Sequence, residues 1–241
     1  GEFAPSGRVI DDLLNHVHGV VERAAIYVLK VELLVLACRY QDAVATAGEG
    51  LRLFGIHIPA QVTDMDVEQS YGYLLEMLGS RDIASLRDLP EMRDVTFEAA
   101  MGMLSSMIAS ASFIDDDLLY VLTCEMVQLS LEYGICAAST HGFAWFGVAL
   151  AHQYKAYEDG AAFAGVAHTL VQERGYSSSQ STTLVALDQV SVWTQPLSHA
   201  LEHARSALAS SYNAGNLTMS CYACNHIVSD LLVMGEHLER A

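Results

Sequence analysis

YVLKVELLVLACRYQDAVATAGEGLRLFGIHIP, residues 27–59, is the stretch whose reading decides the fold. From Glu22 to Cys38 the chain is apolar almost all round, with Ala25, Ile26, Val28, Leu29, Val31, Leu33, Leu34, Val35 and Leu36. A helix of that composition must be covered on several sides. From Tyr40 to Phe54 the pattern turns one-sided: Ala43, Val44, Ala47, Leu51 and Phe54 fall on one face. Gly55 is placed for a left-handed C-terminal turn, and Pro59 blocks any continuation. The stretch therefore predicts two antiparallel helices hinged at Cys38-Arg39-Tyr40.

The hinge recurs. Ala137–Tyr154 and Tyr157–Arg174 predict a second pair, and Gln180–Trp193 and Pro196–Tyr212 a third. Leu217–Met234 predicts the first helix of another. The hinge positions Tyr157, Leu197 and His237 stand 40 residues apart. Each of the three hinges at Tyr40, Tyr157 and Leu197 is followed by small residues at helical spacing: Ala43, Ala47 and Gly50; Gly160, Ala164 and Ala167; Ala200, Ala204 and Ala207. Small residues in that register let paired helices approach closely. A repeated helical hairpin is the signature of a solenoid. Cys38-Arg39-Tyr40 and Ala156-Tyr157-Glu158, each with a small residue three positions after the tyrosine, resemble the second half of a tetratricopeptide repeat. Residues 61–134 keep helical patterns but lose the rhythm. There, Thr63 or Asp64 and Asp94 or Thr96 are expected N-caps, and Gly79 and Gly134 expected stops.

Composition narrows the function classes. Apolar residues make up 52% of 241 and charged residues 17%, and the net charge is −17. A field of that sign repels phosphate backbones and anionic lipids, so nucleic acid and membrane surfaces are disfavoured partners. The best membrane-spanning window is interrupted by Lys30 and Glu32. Five cysteines inside helical patterns suit reduced thiols and a cytoplasmic location. The opening Gly-Glu-Phe resembles a cloning scar, and residues 1–7 are expected to form a disordered lead-in to a single repeat domain over 8–241, truncated at both ends.

No catalytic, cofactor-binding or metal-binding residue is assigned. Cys221 and Cys224 form a C-x-x-C, but no second pair stands at zinc spacing. His226 lies one position too late for a haem attachment pattern. His199 and His203 could share one helix face, yet Glu202 does not make an H-E-x-x-H and no third ligand is evident. His16 and His18 face opposite sides of a helix. Asp11-Asp12 and Asp115-Asp116-Asp117 lack the D-D-x-x-D spacing of magnesium-binding prenyl-transfer enzymes and read as helix N-terminal carboxylates. E-x-x-H, phosphate-loop, G-x-S-x-G and kinase catalytic motifs do not occur. Phe143, Trp145, Phe146 and Trp193 read as core.

Residues 27–59, the segment SLRDLPEMRD at 85–94, and CEMVQLSLEYGICAASTHGFAWFGVAL at 124–150 resemble one bacterial family. Its members are very large signalling proteins joining a serine/threonine kinase, an AAA-type ATPase, a long helical repeat region, a GAF domain and often a sensor histidine kinase. The resemblance falls wholly in the repeat region, and none of the family's catalytic residues is carried over. It implies an all-α chain of about 11–12 helices, with antiparallel hairpins at 21–59 and 137–241 stacked as a right-handed tetratricopeptide-like superhelix. It further implies a non-enzymatic regulatory module that binds a protein partner or the neighbouring kinase and ATPase domains. The alternative is a small-molecule sensor with an apolar pocket in the irregular middle.

Overall fold

Helices account for nearly all the regular structure of the computed structural model, which describes residues 3–59 and 61–237. Eleven α-helices follow in order: α1 Phe3–His16, α2 Val20–Leu36, α3 Tyr40–Leu51, α4 Asp64–Leu78, α5 Val95–Ile114, α6 Asp116–Tyr133, α7 Ala137–Tyr154, α8 Tyr157–Arg174, α9 Gln180–Thr194, α10 Leu197–Asn213 and α11 Leu217–Val233. Three short 3₁₀ segments stand at Arg52–Phe54, Ile83–Asp88 and Ser177–Ser179. Among the described residues there is no strand, only an isolated bridge between Glu91 and Ile135. The fold is all-α, as the composition and periodicity predict.

The chain divides into two compact units. The first comprises residues 1–79 and 90–138, the second 80–89 and 139–241. In the first, α2 and α3 pack together and both lie on α5, while α6 bridges α5 and α4. In the second, α8, α9, α10 and α11 pack in succession, and α11 also touches α9. Residues 80–89 join this unit through the end of α8: the Arg174 guanidinium donates to the carbonyls of Arg87 at 3.0 Å and Leu89 at 2.7 Å.

The hinge has a definite physical form. After α2, Cys38 N–H bonds the Val35 carbonyl and Arg39 N–H the Leu34 carbonyl, both at 2.9 Å. This is the six-to-one and five-to-two pair that closes a helix with one left-handed residue, a place where glycine is usual. Here it is Cys38, at φ 56°. After α7 the corresponding residue is Lys155, at φ 58°, again two positions before the tyrosine that opens the next helix. A side chain in that conformation costs about 1–2 kcal/mol, so the surrounding packing has to hold it. The helices that follow the hinges pack on small residues: Ala43, Ala47, Ala164, Ala167, Ala200, Ala204 and Ala207 are completely buried, with Gly50 and Gly160 buried beside them. The hinges before Tyr40 and Tyr157 thus share a backbone geometry, whereas the one before Leu197 has no left-handed residue, with Gln195 at φ −138° and Pro196 at φ −57°.

Gly134, between α6 and α7, does a different job. Its φ is 101°, and a Cβ there would stand 2.5 Å from the Pro90 carbonyl oxygen. Only a bare backbone lets Ile135 N–H reach Pro90 and Met92 N–H reach Ile135, each at 2.8 Å.

Three expectations change. α1 begins at Phe3, so residues 3–7 are helical; Gly1 and Glu2 of the expected lead-in lie outside the described residues, as do 238–241. That earlier start places Asp11 and Asp12 in the body of α1, not in its first turn. Asp11 instead pairs with Lys30 of α2 at 2.7 Å. Asp115 does cap α6, accepting from Asp117 N–H at 2.9 Å. Finally, α5 is long and apolar enough to cross a membrane, which the window around Lys30 had obscured. Its Met101, Met103, Leu104, Met107 and Ile108 are buried, on a helix that packs against α2, α3 and α6.

Candidate functional site

The unusual chemistry of the second unit lies where α11 meets α9. α9 runs Leu184-Val185-Ala186-Leu187-Asp188-Gln189-Val190, an apolar face broken by one carboxylate. Because Leu184, Val185, Ala186, Leu187 and Val190 are all buried, Asp188 goes in with them, at 2% exposure. A carboxylate so placed must find a partner. α11 supplies two groups one helical turn apart, His226 and Asp230. His226 Nδ1 lies 2.5 Å from Asp188 Oδ2. Asp230 is 8% exposed, and its carboxyl group lies within hydrogen-bond reach of Asp188.

The atom inventory shows how the cluster is satisfied. Asp188 Oδ1 and Asp230 Oδ2 are both buried, and no N–H or hydroxyl donor reaches either. Two facing acceptors are relieved by one proton held between them. Burial, then the Asp188 charge and hydrogen bond, push the Asp230 carboxyl up to about 7. The hydrogen bond to Asp188 raises His226 above its ordinary value, against the opposing pull of burial. A proton on Asp230 and one on His226 would pair the buried oxygens that otherwise lack a donor.

Around the cluster stand more imidazoles. His203 of α10 is lowered by burial and by His168, with Glu202 and Asp188 pulling the other way. Its ring meets that of His168 of α8 edge-on, 6.5 Å between centroids. His168 is lowered by burial, and its Nδ1 has no hydrogen-bond partner. Among the described residues, no three histidine, cysteine, aspartate or glutamate side chains are arranged to hold a metal ion. The Ser191 hydroxyl donates to the Asp188 carbonyl at 3.1 Å.

The residues weighed from the sequence fall elsewhere. Cys221 and Cys224 are free thiols on the exposed side of α11. His199 and His203 share α10, but it is His203 that turns toward α8 and α9. His16 Nδ1 contacts the Asp12 carbonyl at 2.7 Å on the surface. Phe143 and Phe146 are core residues packed on Phe163, whereas Trp193 is half exposed and stacks on Tyr157 at 4.8 Å. Sequence reasoning missed Asp188 and Asp230. The available signals were a single acid in an apolar helix and a His-x-x-x-Asp spacing in α11.

Each unit also carries a groove. One of about 870 Å³ runs between α10 and α11, with Glu202, Arg205, Ser206, Leu231 and Glu236 in its walls. Another of about 650 Å³ runs along α1, α2 and α3, with Asp11, Lys30, Arg39, Asp42 and Glu49. Both carry charges of either sign on a partly apolar floor. A smaller apolar cleft of about 190 Å³ lies beside Val62, Ile114 and Leu118, at the edge of the irregular middle. No family profile, curated protein or solved structure matches this chain.

Proposed function

We propose that the chain is a non-catalytic scaffold, a right-handed tetratricopeptide-like array that docks a protein segment or the neighbouring kinase and ATPase domains of a larger bacterial signalling polypeptide. The observation that carries this reading is the repeated hinge. Left-handed residues at Cys38 and Lys155 precede helices whose small-residue faces are fully buried, a stacking geometry whose usual use is to present a long groove. The grooves along α1–α3 and α10–α11 have the lining such a role needs: apolar floor, mixed charges, accessible walls. With that role goes a cytoplasmic location.

The reading as a small-molecule sensor has less behind it. The cleft at Val62, Ile114 and Leu118 holds about 190 Å³, below the roughly 300–1,000 Å³ of typical ligand pockets.

The test is capture of the parent protein's other domains, and of lysate proteins, on the purified chain, repeated with Arg205→Glu and with Lys30→Glu. Loss of at least tenfold in affinity for one defined partner on one of these reversals is expected. Binding that ignores both reversals would remove the grooves from consideration.

A further inference from the structure

The α9–α11 cluster does something that a passive scaffold does not need, and this holds whichever partner the array docks. Three ionisable side chains meet where α11, packed chiefly along α10, also touches α9: Asp188 from α9, His226 and Asp230 from α11. Elsewhere α11 is seated mainly by Met219, Ala223 and Leu231 and by the Ser211–Ser220 hydroxyl pair at 2.9 Å. Val228, Leu232 and Val233 on its other side face solvent. Because α11 meets α9 over so short a contact, the three polar side chains weigh heavily in that contact, whatever α10 holds. We infer that Asp188, His226 and Asp230 form a proton-operated latch: α11 is held against α9 while the cluster carries its two protons, and is released as they leave.

The direction follows from the charges. Fully protonated, the cluster is an imidazolium, a carboxylate and a neutral carboxylic acid, with no net charge. Losing the Asp230 proton sets two carboxylates against each other out of contact with water. Losing the His226 proton then removes the only cation among the three. In the released helix Asp230 titrates near 3.8 and is already ionised at neutral pH; in the docked helix it holds its proton to about 7. The docked state therefore binds protons more tightly. The contribution of Asp230 is complete below about pH 4, declines as pH rises, and is spent above about 7. That of His226, whose value is raised from 6.5, is present below 6.5 and declines as pH climbs through its docked value.

Few other titratable groups face the latch from the elements packed around it. α9 offers no titratable group besides Asp188. α10 contributes His203, Glu202, His199 and Arg205, and α8 contributes His168 behind His203. His203 and His168 are lowered by burial, so their own protonation opposes the latch and weakens it only toward the acid end. Cys221, Tyr222 and Cys224 share α11 with the latch.

Hydrogen exchange of the full 241-residue chain at pH 6 and pH 8, corrected for intrinsic amide chemistry, tests the latch. α5 peptides serve as internal reference. A carboxyl titrating near 7 implies a rise of up to about tenfold in α11 opening over that interval. The expected result is that α11 loosens by several-fold relative to α5, and that Asp230→Asn, which keeps a donor toward Asp188, reduces the difference to the part that His226 supplies. Asp159→Asn, at an exposed site on α8, controls for net charge and should behave as wild type. The latch is overturned if α11 and α5 change in parallel in the unmodified chain, if Asp230→Asn retains the wild-type dependence, or if Asp159→Asn removes it equally. The unmodified chain alone decides the question should the Asp230 variant not fold.

Discussion

Within the second unit, α7 meets α8 on glycine and hydrocarbon, whereas α9 meets α11 on three ionisable side chains. At the first contact, Gly147 and Gly160 let the backbones touch: a Cβ on Gly160 would stand 2.6 Å from the Gly147 carbonyl oxygen. Phe146 and Phe163 close the seam edge to face, 4.9 Å between centroids. At the second, Asp188 goes into the interior and is held there by His226 and Asp230. A close apolar seam fixes two helices at any pH. A buried acid–base seam ties the position of a helix to proton activity, and it puts stability at risk because every oxygen must stay paired.

The α7–α8 seam is most vulnerable at Gly160. Gly160→Val forces branched carbons against backbone, which has no rotamer by which to give way. A loss of about 3 kcal/mol is expected from overpacking at such a site, read as a lower urea midpoint with little change in slope. A midpoint within error of wild type would mean that α7 and α8 separate freely.

Next comes Asp188→Ala. It strands the Asp230 carboxyl and the His226 ring, and leaves the space of the lost side chain. About 2 kcal/mol is expected, below the full penalty for breaking a buried pair because the His226 side chain is 27% exposed. Replacing Asp188, His226 and Asp230 together by leucine should cost less than the single change, since no polar group is then stranded. If the triple variant is the less stable, the cluster contributes more than mutual satisfaction.

The finest distinction is one of sign. His141, also on α7, is pushed down to about 4 by burial. It must stay neutral in the fold, so its contribution is present above pH 6.5 and is lost as pH falls toward 4, opposite to the α11 latch. His141→Gln should keep about 1 kcal/mol more of its stability at pH 4.5 than wild type does, relative to the difference at pH 7.5. Thermal midpoints across that range test it. An acid limb unchanged by the substitution would place the acid sensitivity elsewhere.

Much of the first kind of contact was legible from residue types. Ala43, Ala47 and Gly50, and their counterparts after Tyr157 and Leu197, announce a close helix face because small residues at helical spacing have no other common use. The caps were equally plain: Thr63 does form a reciprocal box with Asp66, which holds the Asp66 carboxyl below its ordinary range, and Asp94 does accept from Thr96 N–H at 2.8 Å. These are local arrangements, set within a turn or two of chain. Asp188 was not legible as a site, because a single acid in an apolar helix gains meaning only from what faces it, and its partners lie 38 and 42 residues onward. The early start of α1 was hidden by Pro5, which is tolerated in a first helical turn.

By itself the sequence determined that this chain is helical, where its caps and hinges fall, and which faces pack closely. Those follow from backbone propensity and from periodicity, which act over a few residues. Only the tertiary structure decided that the chain forms two compact units, that α5 packs among other helices, and that three residues scattered along the sequence come together. Each of these depends on which helix lies against which. Desolvation and charge, which shift a carboxyl from 3.8 to about 7, depend on distances that no single helix contains.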